Sequence, residues 1–94
     1  CASWPAPRRE VWRTLLRARA IENQCYVAGV NRVGDDPSGH YAGDSAFVDF
    51  KGRTLVEADD RERTLTAVFD GEALEAFRAK FPAWRDADDF RIQM

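Results

Sequence analysis

The sequence contains too few metal-binding side chains for a common metal site. Its 94 residues include two cysteines, Cys1 and Cys25, and one histidine, His40. A structural zinc site usually takes four ligands, and the cysteines do not form a C-x-x-C pair. We therefore expect no metal and no cofactor. We assign no role to His40, which stands in a glycine-rich loop.

Long hydrophobic runs are also missing. No apolar stretch approaches the roughly 20 residues that cross a bilayer, and the first residues lack the charged-then-apolar pattern of a signal peptide. Unless upstream sequence is missing, we expect a cytoplasmic protein that has free thiols and does not bind a membrane.

A strong excess of charge is absent, because the formal net charge is −2. Residues 1–34 carry six Arg against two Glu, whereas residues 35–94 carry eight basic against fourteen acidic side chains. An arginine-rich helix that binds nucleic acid is an alternative, but the acidic second half opposes it. The hydrophobic content of 45% instead indicates one small folded unit over residues 1–94.

A helix is predicted from about Arg8 to Gln24, after an entry loop that contains Pro5 and Pro7. At about 100° per residue, one broad apolar face collects Val11, Trp12, Leu15, Leu16 and Ala18. The opposite face, which we predict to be exposed to solvent, carries Arg9, Arg13 and Arg17.

Two charged residues interrupt the apolar face of this helix. Glu22 projects between Val11 and Leu15, and Arg19 projects between Leu15 and Trp12. Buried charges are costly unless they are paired, and these two are three residues apart, within reach of each other. Two interpretations stay open, a structural ion pair or a role near an active site.

The remaining sequence predicts strands followed by a second helix. "CYVAGVNRVG" suits a strand that is covered on both faces, with Cys25 buried in it. "DDPSGHYAGD" indicates a loop, "SAFVDFKGRTLVEAD" two strands joined at Lys51-Gly52, and "RTLTAVFD" another strand. Asp70 is the predicted N-cap of a helix over "GEALEAFRAKF", which Pro82 ends. The tail "AWRDADDFRIQM" has no helical period, and its aromatic residues need a packing partner.

Four blocks, "ASWPAPRR", "RARAIENQCYVAGVNRVG", "GDSAFVDFKG" and "KFPAWRDADDF", carry a resemblance to a known family. Throughout its length the chain resembles the carbon-nitrogen hydrolases of the nitrilase superfamily, most closely the bacterial omega-amidase-like branch. "GDSAFVDFKG" alone is a weak pattern, whereas the four blocks in this order and spacing are specific.

The resemblance implies the fold class α+β, as the C-terminal part of a four-layer αββα sandwich. The portion present here would be a helix, four mostly antiparallel strands and a helix, all within a single domain. The family hydrolyses amides or nitriles with a Cys nucleophile, a Glu base and a Lys that helps to bind the oxyanion. All three lie upstream of the "SWP" block, so we assign no catalytic residue within this chain.

Cys1 raises a separate question, because N-terminal nucleophile hydrolases use a residue in that position. The resemblance instead aligns Cys1 with the strand that leads to the "SWP" block, where an apolar residue usually stands. An oxyanion hole and an enclosed pocket would also be hard to build from 94 residues. We therefore expect Cys1 to be the buried end of a strand in the intact protein and not a nucleophile.

The resemblance also implies where the substrate lies. In relatives the loop after this strand lies beside the substrate, so Ser3 and Trp4 are the candidate substrate-binding residues. Trp4 would form an apolar wall, and Ser3 would supply a hydrogen bond or a backbone contact. The alternative is a loop around a buried tryptophan with no role in binding.

Four further residues are expected to support the site without touching the substrate. Glu22 and Asn23 match the family's Ala-x-Glu-Asn signature, and Arg19 precedes that Glu by three residues. We predict that Arg19 and Glu22 are largely buried, and bonded to each other or to polar groups of the upstream residues. Asn31, at the end of the next strand, would fix a loop through backbone hydrogen bonds.

The leading hypothesis is the C-terminal part of an amidase that hydrolyses small ω-amides of dicarboxylic acids. Its partners would be a small-molecule amide and a second copy of the protein, since the helix Arg8 to Gln24 corresponds to an element that pairs across a two-fold axis in many relatives. A truncated, non-catalytic module that dimerises or packs with a partner remains an alternative.

Overall fold

The computed structural model describes residues 1–82, which form an α+β fold. The elements in chain order are a 3-10 turn (Ala6–Arg8), α1 (Arg9–Asn23), β1 (Val27–Gly29), β2 (Val33–Asp36), β3 (Gly39–Ala42), β4 (Ala46–Val48), β5 (Thr54–Glu57) and α2 (Gly71–Lys80). The predicted tail beyond Pro82 lies outside the described residues.

Helix α1 confirms the first predicted helix to within one residue at each end. Pro5 and Pro7 restrict the backbone ahead of it and favour the short 3-10 turn that precedes the helix. The helix ends at Gln24, whose φ of 47° is left-handed. The N–H of Cys25 then donates to the carbonyl of Ala20 at 3.1 Å, which satisfies one of the last helical carbonyls.

A three-stranded antiparallel sheet in the order β1-β4-β5 lies against α1. The core lies between the helix and β4, where Ala20, Ala46 and Val48 are buried and Leu16 packs against them. A Cβ placed on Gly29 would lie only 2.6 Å from Cδ2 of Leu16. Glycine at this point of β1 therefore allows the helix to approach the sheet closely.

The buried face of α1 differs from the predicted one by a rotation about the helix axis. Trp12 and Ala20 are buried and Leu16 is half-buried, whereas Val11 is 46% exposed. The helix carries two adjoining apolar stripes, because Val11, Leu15 and Ala18 also recur at helical spacing. The sequence could not tell which of them faces the sheet.

The segment that the sequence predicts as a loop forms a hairpin instead. Strands β2 and β3 pair antiparallel, with Val33 opposite Ala42 and Asp36 opposite Gly39. Oδ1 of Asp36 accepts hydrogen bonds from the N–H groups of Ser38 and Gly39 at 2.8 and 3.1 Å. The Asp, Pro, Ser and Gly residues that indicated a loop thus build the tight turn of a hairpin.

The second predicted hairpin is confirmed, and its turn contains Lys51-Gly52 as expected. β4 pairs antiparallel with β5. Oδ1 of Asp49 accepts hydrogen bonds from the N–H groups of Lys51 and Arg53, both at 2.9 Å. Gly52 has a φ of 82°, a conformation that glycine adopts without strain.

The predicted strand over "RTLTAVFD" is wrong, because residues 63–70 carry no regular secondary structure. β-branched residues favour a strand only where a partner strand supplies its backbone groups, and within residues 1–82 this segment pairs with none. Phe69 instead stacks on Tyr26, with ring centroids 4.5 Å apart. The described chain therefore has five strands in two sheets, not the four predicted.

Helix α2 confirms the second predicted helix and its N-cap. Oδ1 of Asp70 accepts a hydrogen bond from the N–H of Ala73 at 3.0 Å. Phe77 lies 4.8 Å from the ring of Phe50, and Nε of Arg78 donates to the carbonyl of Gln24 at 2.8 Å. These contacts hold α2 against the sheet edge and the end of α1.

Candidate functional site

Asn31 binds the loop that contains the two candidate substrate-binding residues. The N–H of Trp4 donates to Oδ1 of Asn31 at 2.8 Å, and Nδ2 of Asn31 donates to the carbonyl of Trp4 at 3.1 Å. Ala2 pairs with Asn31 in a parallel bridge immediately before this contact. The backbone hydrogen bonds predicted for Asn31 are therefore present, and the loop they fix is the one with Ser3 and Trp4.

The side chain of Trp4 is held against the first turn of α1. Nε1 of Trp4 donates to the carbonyl of Arg8 at 2.8 Å, and the ring lies 5.8 Å from that of Trp12. The guanidinium of Arg8 lies 5.2 Å from the ring centroid of Trp4, within cation–π range. Trp4 is half-buried and Ser3 is exposed. Both residues can thus contact a molecule that binds over the loop.

Asn31 also binds the turn between β3 and β4. Nδ2 of Asn31 donates to the carbonyl of Gly43 at 2.9 Å. Its backbone N–H donates to Oγ of Ser45 at 2.9 Å, and that hydroxyl donates back to the Asn31 carbonyl at 3.2 Å. The side-chain amide of one residue thereby joins the Trp4 loop to the turn.

Asp44, at the centre of this turn, is a buried carboxylate that binds two arginines. Arg9 donates through Nε and Nη2 at 3.0 and 2.8 Å, and Arg13 adds a contact at 3.3 Å. The backbone carbonyl of Asp44 accepts a hydrogen bond from Nε1 of Trp12 at 2.8 Å. The turn is therefore attached to α1 through both its side chain and its backbone.

Arg9 is exposed, as predicted, whereas Arg13 is only half-exposed because it reaches Asp44 and two further carboxylates. Arg13 also contacts Glu10 and Glu57 at 2.8 and 2.9 Å. Desolvation alone would lower the pKa of Arg13, but the hydrogen bond to Glu10 and the charges of Asp44 and Glu57 raise it. The guanidinium of Arg13 therefore stays charged. Arg17 is exposed, as predicted.

Arg19 and Glu22 form the predicted ion pair, with 2.6 Å between Nη1 and Oε1. Their side chains are 58% and 55% exposed, so the residues of this chain do not provide the predicted burial. Asn23 donates through Nδ2 to the carbonyl of Arg19 at 2.9 Å and is also exposed. The structure therefore separates these three residues from the group formed by Asn31, Trp4 and Ser3.

A concave surface adjoins Asn31. Its cavity of about 300 Å³ is lined partly by Ser45, Phe47, Asp59 and Arg63. Neither Ser3 nor Trp4 contributes to it. Asn31 thus both lines this cavity and binds the candidate substrate loop.

The cysteines and the histidine do not join the site. Cys1 is exposed, and Cys25 is half-buried just ahead of β1, not buried in a strand as predicted. His40 is exposed in the hairpin, with Nδ1 2.8 Å from Oδ1 of Asp35. Among residues 1–82, no group of three metal-binding side chains comes together. Neither helix in the same range is long and apolar enough to span a bilayer.

The sequence did not point to Asp44, the residue around which the turn is built. The one available signal was its place in "GDSAFVDFKG", where a charged residue stands between two small ones. Gly43 has a φ of 76°, and a Cβ there would lie 2.7 Å from the carbonyl oxygen of Asp59. A small residue is therefore required beside Asp44, but the arginines that bind Asp44 are 31 and 35 positions away in sequence.

Comparison with known proteins gives one family. A model described as carbon-nitrogen hydrolase matches residues 2–79. The omega-amidase YafV of Escherichia coli strain K12 is 53% identical over 93 residues, which are 97% of this chain and 36% of that protein. The 2-oxoglutaramate amidase of Bacillus subtilis strain 168 is 41% identical over 85 residues, 90% of this chain and 33% of that protein.

The solved structures include a close match as well. XC1258 from Xanthomonas campestris, a CN-hydrolase superfamily protein with an arsenic adduct in its active site, superposes with a TM-score of 0.90 at 52% identity. That match covers 98% of this chain and 35% of the other. The chain therefore spans about a third of the length of the proteins it matches.

Proposed function

The chain belongs to the carbon-nitrogen hydrolase family, and from that premise we propose that it forms the C-terminal portion of an amidase. The substrates would be small ω-amides of dicarboxylic acids. The similarity to an omega-amidase over nearly the whole chain carries this proposal, and the similarity to a 2-oxoglutaramate amidase supports it.

The reaction implied by the family is hydrolysis of an amide C–N bond through an acyl-enzyme. A cysteine thiolate attacks the amide carbonyl, a glutamate transfers the thiol proton to the leaving nitrogen, and ammonia departs. Water then hydrolyses the thioester, releasing the carboxylic acid and the thiol, while a lysine helps to hold the oxyanion. These three residues would come from sequence upstream of the "SWP" block.

The contribution of this chain would be the wall of the substrate pocket that Ser3 and Trp4 supply. The two hydrogen bonds between Asn31 and the backbone of Trp4 support this role, because they fix the loop without using its side chains. Trp4 is held by Arg8 and Trp12 yet stays only half-buried, so part of its ring can face a substrate.

The dimensions of the chain support the proposed four-layer sandwich. Its shortest extent is 18 Å, about the thickness of one helix layer on one sheet. Two further layers would come from upstream residues and would cover apolar side chains that are exposed here, such as Val30 and Val68. Exposed apolar surface of this kind favours an interface.

A homodimer through α1 is a further part of the proposal. Val11 and Leu15 line a shallow apolar surface on the helix, and Val11 is 46% exposed. The same surface would serve a non-catalytic module that only packs with a partner, so the alternative retains support. The ion pairs of Arg9, Arg13 and Arg19 with acidic side chains speak against a helix that binds nucleic acid.

We include a cytoplasmic location in the proposal. Both cysteines are free thiols, the state in which a reducing compartment keeps them.

Amide turnover by the complete gene product that contains this chain tests the proposed activity. Ammonia release from glutaramate-type amides should be measured for the complete protein and for the 94-residue chain alone. We expect turnover only by the complete protein. A complete protein that dimerises but releases no ammonia would overturn the amidase proposal and favour the packing module.

Replacement of Cys1 by Val in the complete protein is the matched control. Because the nucleophile is expected upstream of the "SWP" block, loss of the Cys1 thiol should leave kcat within about threefold. Turnover by the isolated chain that disappears when Cys1 is alkylated would contradict this assignment and restore the N-terminal nucleophile.

A further inference from the structure

The most unusual residue that the proposed mechanism leaves unused is Asp44. Its side chain is 2% exposed, and its backbone φ of 54° lies in the left-handed region, which non-glycine residues seldom adopt. A buried carboxylate is costly unless it is paired, and a left-handed backbone adds strain. Such a residue persists only where the surrounding structure holds it in place.

The partners of Asp44 come from one element, the first half of α1. Arg9 forms a two-point contact with both carboxylate oxygens, and Arg13 approaches Oδ1 at 3.3 Å. The two arginines are one helical turn apart and so converge on the same group. The turn around Asp44 is thereby fixed relative to α1 by charge.

Two routes connect this turn to the candidate substrate loop. The first passes through Asn31, whose Nδ2 donates both to the carbonyl of Gly43 and to the carbonyl of Trp4. The second passes through Trp12, whose Nε1 donates to the carbonyl of Asp44 and whose ring lies 5.8 Å from that of Trp4. Both routes end on the same tryptophan.

The turn has little freedom to relax if the charge is removed. At Gly43, an added Cβ would meet the carbonyl oxygen of Asp59 and Cγ1 of Val33, both at 2.7 Å. Ser45 on the other side of Asp44 is bound to the backbone of Asn31. A shift of Asp44 is therefore transmitted to Asn31.

From these contacts we propose that Asp44 is a positioning residue for the substrate loop, defined as Ser3 and Trp4. It acts through the turn Gly43 to Ser45 and through Asn31, and its negative charge is the property that matters. This inference rests on the proposed function, because the loop is taken to contact the amide substrate.

The test compares Asp44→Asn with Asp49→Asn in the complete gene product. Asp49 is the control because its carboxylate also accepts hydrogen bonds in a turn, but from two backbone N–H groups, and none of them comes from Asn31 or the loop. Asp44→Asn should raise KM for a glutaramate-type amide about tenfold with kcat within about threefold, since ground-state contacts are lost. Asp49→Asn should leave KM within about twofold, whatever it does to the melting temperature.

Arg9→Gln provides a second test in case Asp44→Asn does not fold. The Arg9 side chain is 45% exposed, so its loss leaves a smaller defect, and KM should rise in the same direction by about threefold. Unchanged KM in both Asp44→Asn and Arg9→Gln would overturn the inference. If Asp44→Asn does not fold, the KM of Arg9→Gln alone decides, and an unchanged KM overturns the inference.

Hydrogen exchange separates a failure of this inference from a failure of the proposed function. The peptide that covers residues 1–8 should exchange faster in Asp44→Asn than in Asp49→Asn, whether or not the protein hydrolyses amides. A complete protein without amidase activity would contradict the proposed function alone. Equal exchange in residues 1–8 of the two variants would overturn the positioning role.

Discussion

The two halves of helix α1 both carry arginines in ion pairs, but the carboxylates they bind are in opposite environments. In the first half, Arg9 and Arg13 bind Asp44, a carboxylate that is 2% exposed. In the second half, Arg19 binds Glu22, and both side chains are more than half exposed. The sequence predicted solvent-facing arginines in the first half, and in the second half charges largely buried against each other or against upstream residues.

The difference shows what decides the environment of a charge on a helix with two apolar stripes. In both halves an arginine has a glutamate three residues away in sequence, Glu10 for Arg13 and Glu22 for Arg19. The deciding partner is remote, since Asp44 and the turn that holds it are 35 residues beyond Arg9. A helical wheel contains no information about that turn.

Replacement of Asp44 by Ala is the change expected to disturb the first half most. It leaves two guanidinium groups without their shared carboxylate and removes the charge that fixes the turn. The free energy of unfolding should fall by about 3 kcal/mol, near the low end for a broken buried pair because both arginines can still reach water. Urea unfolding of the complete gene product measures this loss. A loss below about 1 kcal/mol would mean that Asp44 contributes no more to stability than an exposed charged residue does, which would contradict this prediction.

A direct contrast between the halves comes from Arg13→Gln and Glu22→Gln. Arg13 contacts three carboxylates and its side chain is 33% exposed, so its removal should cost about 1 kcal/mol. Glu22→Gln should stay within about 0.5 kcal/mol, as for other exposed pairs. Thermal melts of the complete protein check both values. A larger loss of unfolding free energy for Glu22→Gln than for Arg13→Gln would contradict this contrast and support the burial of Glu22 that the sequence predicts.

The smallest effect is expected at Asp59, which also binds two arginines but is exposed. Its pKa is lowered from 3.8, first by the backbone hydrogen bond from Arg61 and then, against some desolvation, by the charge of Arg63. The lowered folded-state pKa means that the stabilisation is complete above the unfolded value of 3.8 and is lost as the pH falls through the folded value. Asp59→Asn should thus destabilise slightly at neutral pH. The difference from the parent should disappear in acid, and a constant difference over the whole pH range would contradict the assignment.

Much of the local structure could be predicted because local residues determine it. The bounds of α1, the Lys51-Gly52 turn and the cap at Asp70 each depend on contacts within a few residues. The hydrogen bonds of Asn31 were also expected, from its place at a strand end and from the family resemblance. What failed was whatever depends on remote contacts: the buried face of α1, the pairing of β2 with β3, and the unpaired segment 63–70.

The proposed positioning role requires that Asp44 and Asn31 act on the substrate loop as one unit. A double-mutant cycle on KM for a glutaramate-type amide tests this, using Asp44→Asn, Asn31→Ala and the double variant of the complete gene product. If the turn around Asp44 and the side chain of Asn31 act on the loop through one path, the double variant should raise KM no more than about twofold beyond the larger single effect. Effects on KM that multiply, as for two independent residues, would contradict the claim.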